Sequence, residues 1–396
     1  MQNASERAAR LEAFLEVDPG NVQLMRELAD THYKQGELDK ALGRYTQLLS
    51  LQGESAQILN QIASVHLAAG RWGEAAELLA KAVRLDPQAA PLHFNRAYAE
   101  LARGGVTDAL GAIRRAVELD PTQPRFFYYL SLICEQAGDQ AASRAALKRC
   151  LELDPLHREA HMLDAYKAME SMDFERAAQI ATTTLHAHPD ATDAISLKAQ
   201  AQMLRLEPEA ALETLSRALV RQPNHPELLF TRGQILLTLQ RYEEAEGILR
   251  KVTALDPSNE QAQVALGWAC AFREDVTNAR AAFDAALRLD PGTADAWAGI
   301  ALLHASQQQI DDAQRCLSKA LAADANCAAA LWIKAGLAGL QGNEAERRNW
   351  LKQFEHSRAF GASIGPTNLE LLGQVRNSPL GKRMAGKVQQ RSRTAH

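Results

Sequence analysis

A chain of 396 residues, 46% hydrophobic and 23% charged, is globular in composition and long enough for one large core or several small ones in series. Its formal charge of −4 and pI near 6.3 supply no global attraction for nucleic acid. Five cysteines, Cys134, Cys150, Cys270, Cys316 and Cys327, have no paired close spacing and so suggest neither a disulfide framework nor a metal site, and no apolar run approaches a membrane span. A cytoplasmic protein without cofactor, metal, nucleic-acid partner or membrane insertion is the expectation.

In chain order, residues 1–18 read as a capping helix, with Ser5 as its N-cap and its body over 5–17. A period then takes over. Asp-Pro or a close relative recurs at Asp18-Pro19, Asp86-Pro87, Asp120-Pro121, Asp154-Pro155, His188-Pro189, Gln222-Pro223, Asp256-Pro257 and Asp290-Pro291, at steps of 34 residues with one double step. The skipped member falls on Gln52-Gly53, and a degenerate copy stands at Asp324-Ala325. Eight of the 14 prolines occupy this one register, which chance does not produce.

Between marks each unit reads as two helices. The first carries a small residue at Ala29, Ala63, Ala97, Ser131, Ala165, Ala199, Gly233, Gly267, Ala301 and Ala335, and the second repeats the theme at Ala41, Ala75, Ala109, Ser143, Ala177, Ala211, Ala245, Ala279 and Ala313. Small side chains there let two antiparallel helices approach closely, and proline suits the turn because it disfavours continuation of the preceding helix. With Trp297, Ile300, Ala301, His304, Ala313, Leu317 and Ala320 at the offsets of its signature, the chain resembles the tetratricopeptide repeat family. The resemblance implies an all-α fold, a right-handed α-solenoid superhelix of about ten helical hairpins over residues 19–358. Atypical capping units are expected at both ends, where no neighbouring repeat covers the core. At the far end Arg347 replaces the small residue, and Trp332, Trp350, Leu351 and Phe354 add apolar weight.

In the fourth repeat Phe126, Phe127, Tyr128 and Tyr129 stand in a row. At about 100° per residue, Phe127 faces its own partner helix, Phe126 a neighbouring repeat, Tyr128 the inner concave wall, and Tyr129 the edge between that wall and the next repeat. Equivalent wall positions hold Phe94, Tyr98, Met162, Tyr166, Phe230, Trp268 and Trp332, whereas the first two repeats hold Arg26, Asp30, Asn60 and Ser64. Tyrosine and methionine on such a wall suit adaptable recognition, so Phe94, Tyr98, Tyr128, Tyr129, Met162, Tyr166, Phe230 and Trp268 are the expected ligand-binding groove. Tighter packing, with these side chains covered, is the competing reading. Glu159, Asp193, Glu227 and Asp295 share one position near the start of the first helix; they form either an acidic rail for a basic ligand or ordinary helix N-terminal carboxylates.

No catalytic residue is expected. His157 and His161 flank Glu159 four apart, but Arg158 stands where a zinc-protease helix requires glutamate. His32, His66 and His304 fall at the family's tyrosine-like packing site and read as core. No phosphate-binding glycine loop or nucleophile elbow occurs. Against the family's carboxylate-clamp modules, Arg26, Asp30, Gln61, Pro91 and Asn95 break the clamp, and only Asn95 matches the asparagine ladder of the glycosyltransferase superhelices. The resemblance therefore implies a binder of proteins or peptides, an adaptor or assembly scaffold. A non-catalytic helper that presents substrate to a separate glycosyltransferase- or sulfotransferase-like enzyme is the alternative. Residues 359–396 read as a short capping segment, with a closing helix at 368–375, and a polar, basic tail expected to be disordered.

Overall fold

A computed structural model describes residues 2–359, all of them helix or connection. The opening helix α1 (Gln2–Val17) starts earlier than expected, so Ser5 lies inside its first turns and is not the N-cap. Four hairpins follow: α2 (Val22–Lys34) with α3 (Leu38–Gln52), α4 (Ala56–Ala68) with α5 (Trp72–Leu85), α6 (Ala90–Ala102) with α7 (Val106–Leu119), and α8 (Pro124–Gln136) with α9 (Gln140–Leu153). The next are α10 (Arg158–Glu170) with α11 (Phe174–Ala187), α12 (Thr192–Leu204) with α13 (Pro208–Arg221), and α14 (Pro226–Thr238) with α15 (Tyr242–Leu255). Three more close the array: α16 (Glu260–Phe272) with α17 (Val276–Leu289), α18 (Ala294–Ser306) with α19 (Ile310–Ala323), and α20 (Ala328–Leu340) with α21 (Glu344–Ala359). The expected closing helix at 368–375 and the basic tail lie outside the described residues.

The Asp-Pro marks have a local cause. From Asp86 onward each aspartate of the series ends a second helix and accepts a hydrogen bond from the N–H two residues on, as Asp120 does from Thr122 (3.1 Å), Asp154 from Leu156 (3.0 Å) and Asp290 from Gly292 (2.8 Å). The carboxylate thus replaces a backbone partner while proline blocks further helix. The turn inside each hairpin is built differently. Gly36, Gly70, Gly104, Gly138 and Gly342 take positive φ there, and the same register in the five intervening repeats holds Met172, Leu206, Gln240, Glu274 and Gln308, also at positive φ. Their N–H groups close the preceding helix, as Gly104 N–H does on Leu101 O (3.0 Å) and Leu206 N–H on Met203 O (3.0 Å).

Small residues meet across the hairpins. Ser131 and Ser143, both fully buried, hydrogen-bond at 3.0 Å where most repeats pair Ala with Ala. A Cβ on Gly233 would stand 2.7 Å from Leu249 Cδ2, and one on Gly267 would stand 2.5 Å from Phe283 Cε1. Phe283 also fills the space over Gly299, so one ring is wedged between the first helices of two repeats.

The chain divides into two compact units, Met1–His161 and Met162–His396. In the first unit α4 packs on α6 and α6 on α8; in the second, α12, α14, α16, α18 and α20 pack in succession. First helices therefore form a layer in direct mutual contact in both units. The C-terminal hairpin has the apolar weight its sequence announces: Phe354 is buried with Leu331 beside Trp332 and Trp350, while Arg347 lies exposed over Gly339.

Backbone conformation and packing separate in three glycines. Neither Gly104 (φ +87°) nor helical Gly111 has a neighbour within 4 Å of an added Cβ. Gly104→Ala should lower unfolding free energy by about 1 kcal/mol through φ alone, and Gly111→Ala should raise it by up to about 1 kcal/mol. Gly267→Ala drives a methyl into Phe283 and should cost about 1–3 kcal/mol, all three read from denaturant melts.

Candidate functional site

In the unit Met1–His161 the wall residues form a connected set of rings. Tyr129 on α8 stands edge-on to Phe94 (5.1 Å) and Tyr98 (5.7 Å) on α6, and to Tyr128 (5.4 Å) beside it. Tyr98 meets Trp72 of α5 at 6.2 Å, and Tyr128 lies over the His157 ring at 5.3 Å. Arg125, one turn ahead of Tyr129, holds its guanidinium 4.7 Å from the centre of the Phe94 ring and 5.7 Å from that of Tyr129. Edge-to-face contact of this kind fixes ring orientation while leaving tyrosine hydroxyls accessible. Tyr98, Tyr128 and Tyr129 are half-buried. Burial, Tyr129 and the charge of Glu159 hold the Tyr128 hydroxyl above the ordinary phenol range, so it remains a neutral donor and acceptor.

Phe94 departs from expectation. It is 5% exposed because Phe126 stacks on it at 5.0 Å and Arg125 covers it from above. Phe126 does reach the neighbouring repeat, through that same stack, and Phe127 is buried. Trp72, Arg125 and His157 belong to the patch and were missed. Arg125 sits at the same repeat position as the carboxylates Glu159 and Glu227, which was a signal for it, but Trp72 lies on a second helix and only the fold brings it near.

The wall of the first two repeats is polar, and with Asn95 of the third it is bonded to itself. Asn95 Nδ2 donates to Asn60 Oδ1 (2.8 Å), Gln61 Nε2 to Asp30 Oδ1 (3.5 Å), Arg26 to Gln52 (3.1 Å), and the Tyr45 hydroxyl to Asp30. Two buried atoms here, Arg26 Nε and Gln61 Oε1, have no hydrogen-bond partner among the described residues.

In the unit Met162–His396 the candidates scatter by depth. Met162 is 4% exposed and sits in a core with Ala165 and Met169. Trp268 is 4% exposed, stacked on Phe272 (5.7 Å) and edge-on to Phe283 (5.5 Å). Both are core and not groove wall; Gly267 and Gly299 admit Phe283, and Trp268 closes around it. Phe230 is half-buried, and Tyr166 alone of the eight is exposed, at 43%.

All four members of the acidic set lie in the first turn of their helices. Glu159 pairs with His157 at 3.4 Å. Burial, and then the charges of Asp193 and Glu227, hold the Tyr166 hydroxyl above the ordinary phenol range. Asp295 accepts from the Cys327 thiol at 3.6 Å; burial, with Asp324 and Glu260 nearby, raises its carboxyl above the usual range. Of the histidines, His32 is core at 2% exposure, bonded to Glu37 at 2.6 Å, whereas His66 and His304 are half-buried and face Glu74 and Gln309 at 2.6 Å. No group of three or more metal-ligating side chains and no membrane-length apolar helix occurs among the described residues.

Family profiles described as tetratricopeptide repeat match residues 5–45, 26–90, 94–158, 230–294 and 273–337, and one described as anaphase-promoting complex, cyclosome, subunit 3 matches 170–252. No curated protein matches. Among solved structures, a tetratricopeptide repeat protein from Parabacteroides merdae is 15% identical, covering 62% of this chain and 97% of that one at TM-score 0.49. A monomeric IFIT1 mutant with Gppp-AAAA is 16% identical over 85% of this chain and 90% of that one at TM-score 0.48. MamA from Desulfovibrio magneticus is 16% identical over 39% and 87% at TM-score 0.37.

Depth sets what each ring does when removed. Phe94→Ala, Phe127→Ala and Trp268→Ala should each lower unfolding free energy by about 3–5 kcal/mol through lost transfer energy and a cavity. Tyr166→Ala, on the exposed wall, should stay within about 0.5 kcal/mol of the parent in the same melts.

Proposed function

Because the chain belongs to the tetratricopeptide repeat family, whose members are generally non-catalytic protein-interaction scaffolds, we propose that it is an adaptor that holds a protein or peptide segment against the first-helix layer. The observation that carries this reading is the patch of Tyr98, Tyr128 and Tyr129, a connected and oriented set of half-buried rings with Arg125 beside it. Rigid aromatic side chains with polar ends contribute much contact area at small cost in conformational entropy, and tyrosine and arginine are enriched where interfaces concentrate their energy. The segment bound is extended or helical and presents apolar side chains to the rings and carbonyl or hydroxyl groups to the tyrosines. The polar wall beside it, with Arg26 Nε and Gln61 Oε1 unsatisfied, offers a hydrogen-bonding continuation. Within this reading Tyr166, Phe230 and the neighbouring Asp193 and Glu227 form a second contact area, suited to a partner that carries basic residues. The five cysteines, buried and unpaired, suit a reducing compartment such as the cytoplasm.

The test is affinity purification from the native host with the parent chain and with Tyr98→Ala and Tyr128→Ala, followed by titration of the recovered partner. Each substitution should weaken binding by about 2 kcal/mol, roughly thirtyfold, while melting moves far less than for Phe127→Ala. Unchanged affinity in both variants would remove the patch as a binding surface.

A further inference from the structure

Met172 and Leu206 are anomalous in two independent ways. Both occupy the positive-φ turn register that is glycine in five other repeats, a conformation that strains any residue with a Cβ. Both are also large apolar side chains turned to solvent, 76% and 81% exposed. Neither feature helps this unit fold.

The two turns lie side by side. Arg205 Nη2, just ahead of Leu206, reaches Glu175 Oε2 beyond Met172 at 2.6 Å and Glu207 Oε1 at 3.1 Å. Half-buried Phe174 and Leu204 flank the pair and rest on the same core, so an apolar patch runs across two adjacent repeats. Its border is acidic. Glu170, Asp173, Glu175, Glu207 and Glu209 surround it, while Arg176 is committed to Asp164 (2.8 Å) and Arg205 to its two carboxylates.

We propose that this patch is the docking site of the chain's own basic C-terminal segment, residues 378–391. That stretch, SPLGKRMAGKVQQR, has four basic residues and no acid, the complement of the border. Its apolar residues Leu380, Met384 and Val388 recur at four-residue steps, and Lys382, Arg383, Lys387 and Arg391 stand beside them, so the segment offers both the apolar groups that Met172 and Leu206 call for and the charge that the border lacks. Reach is ample: the residues between Ala359 and Leu380 extend to roughly 65 Å, against on the order of 40 Å for four repeats. This docking uses none of the tyrosine patch. It makes the tail an internal competitor for any basic, apolar segment that the same edge would receive from another protein.

Trypsin digestion of the full chain, followed by mass spectrometry, tests it. Cleavage after Lys382, Arg383 and Lys387 should be at least about tenfold slower than in the free peptide of residues 376–396, because hydrolysis follows the undocked population. Met172→Gly/Leu206→Gly removes both apolar side chains yet suits positive φ, so the fold should melt no earlier while cleavage returns to the peptide rate. Glu170→Lys/Glu209→Lys, on the surface, should speed cleavage severalfold. Parent cleavage at the peptide rate, or protection that persists in the glycine variant, would overturn the proposal. Protection lost on roughly hundredfold dilution would overturn it too, since that behaviour belongs to a second copy docking in trans.

Discussion

Close approach of two helices is the constraint from which the rest follows. Paired helices can lie near each other only where both present little volume, and this chain meets that condition in every repeat but the last, as the Ser131–Ser143 contact and the crowding over Gly233 and Gly267 make explicit. Because the small residues recur at a fixed interval, the larger side chains beside them are forced into repeating positions, and the turn residues are forced into two registers. One register is closed by an Asp carboxylate and proline; the other requires positive φ. In a repeat array one local condition, restated along the chain, is enough.

That economy explains what could be read in advance. The period, the hairpins, the small positions and the contact of Phe126 with the neighbouring repeat depend on residues close in sequence or one repeat apart, and the sequence shows them all. Depth at the wall was not legible in the same way. Trp268 is covered because Gly267, Gly299 and Phe283 together make room for it, a condition spread over two repeats and set by volumes. Phe94 is covered for a different reason, a stacked Phe126 and an overlying Arg125. Tyr166, at the repeat position of Trp268 but three repeats earlier, stays exposed. Position in the repeat predicts direction, and the neighbours decide accessibility. The five strained turns were equally hidden, since nothing in Met172 or Leu206 themselves signals a glycine conformation; only the interval from Gly138 does.

The first-helix layer of the N-terminal unit holds two surfaces with different readiness to bind. Its polar part has already made bonds: Asn60 with Asn95, Gln61 and Tyr45 with Asp30, Arg26 with Gln52. A ligand that competes for those groups exchanges one hydrogen bond for another, with a net gain of about 1 kcal/mol at best for each. The tyrosine patch has no such prior commitment of its exposed area. Its rings hold one another edge to face, so the surface is ordered before a ligand arrives and what contact then removes from water is mostly apolar. Affinity should therefore be concentrated on α6 and α8, with the polar repeats before them governing register and direction. The orphaned Arg26 Nε and Gln61 Oε1 are the exceptions that give such direction a chemical handle, because a segment that satisfies both is favoured over the same segment reversed.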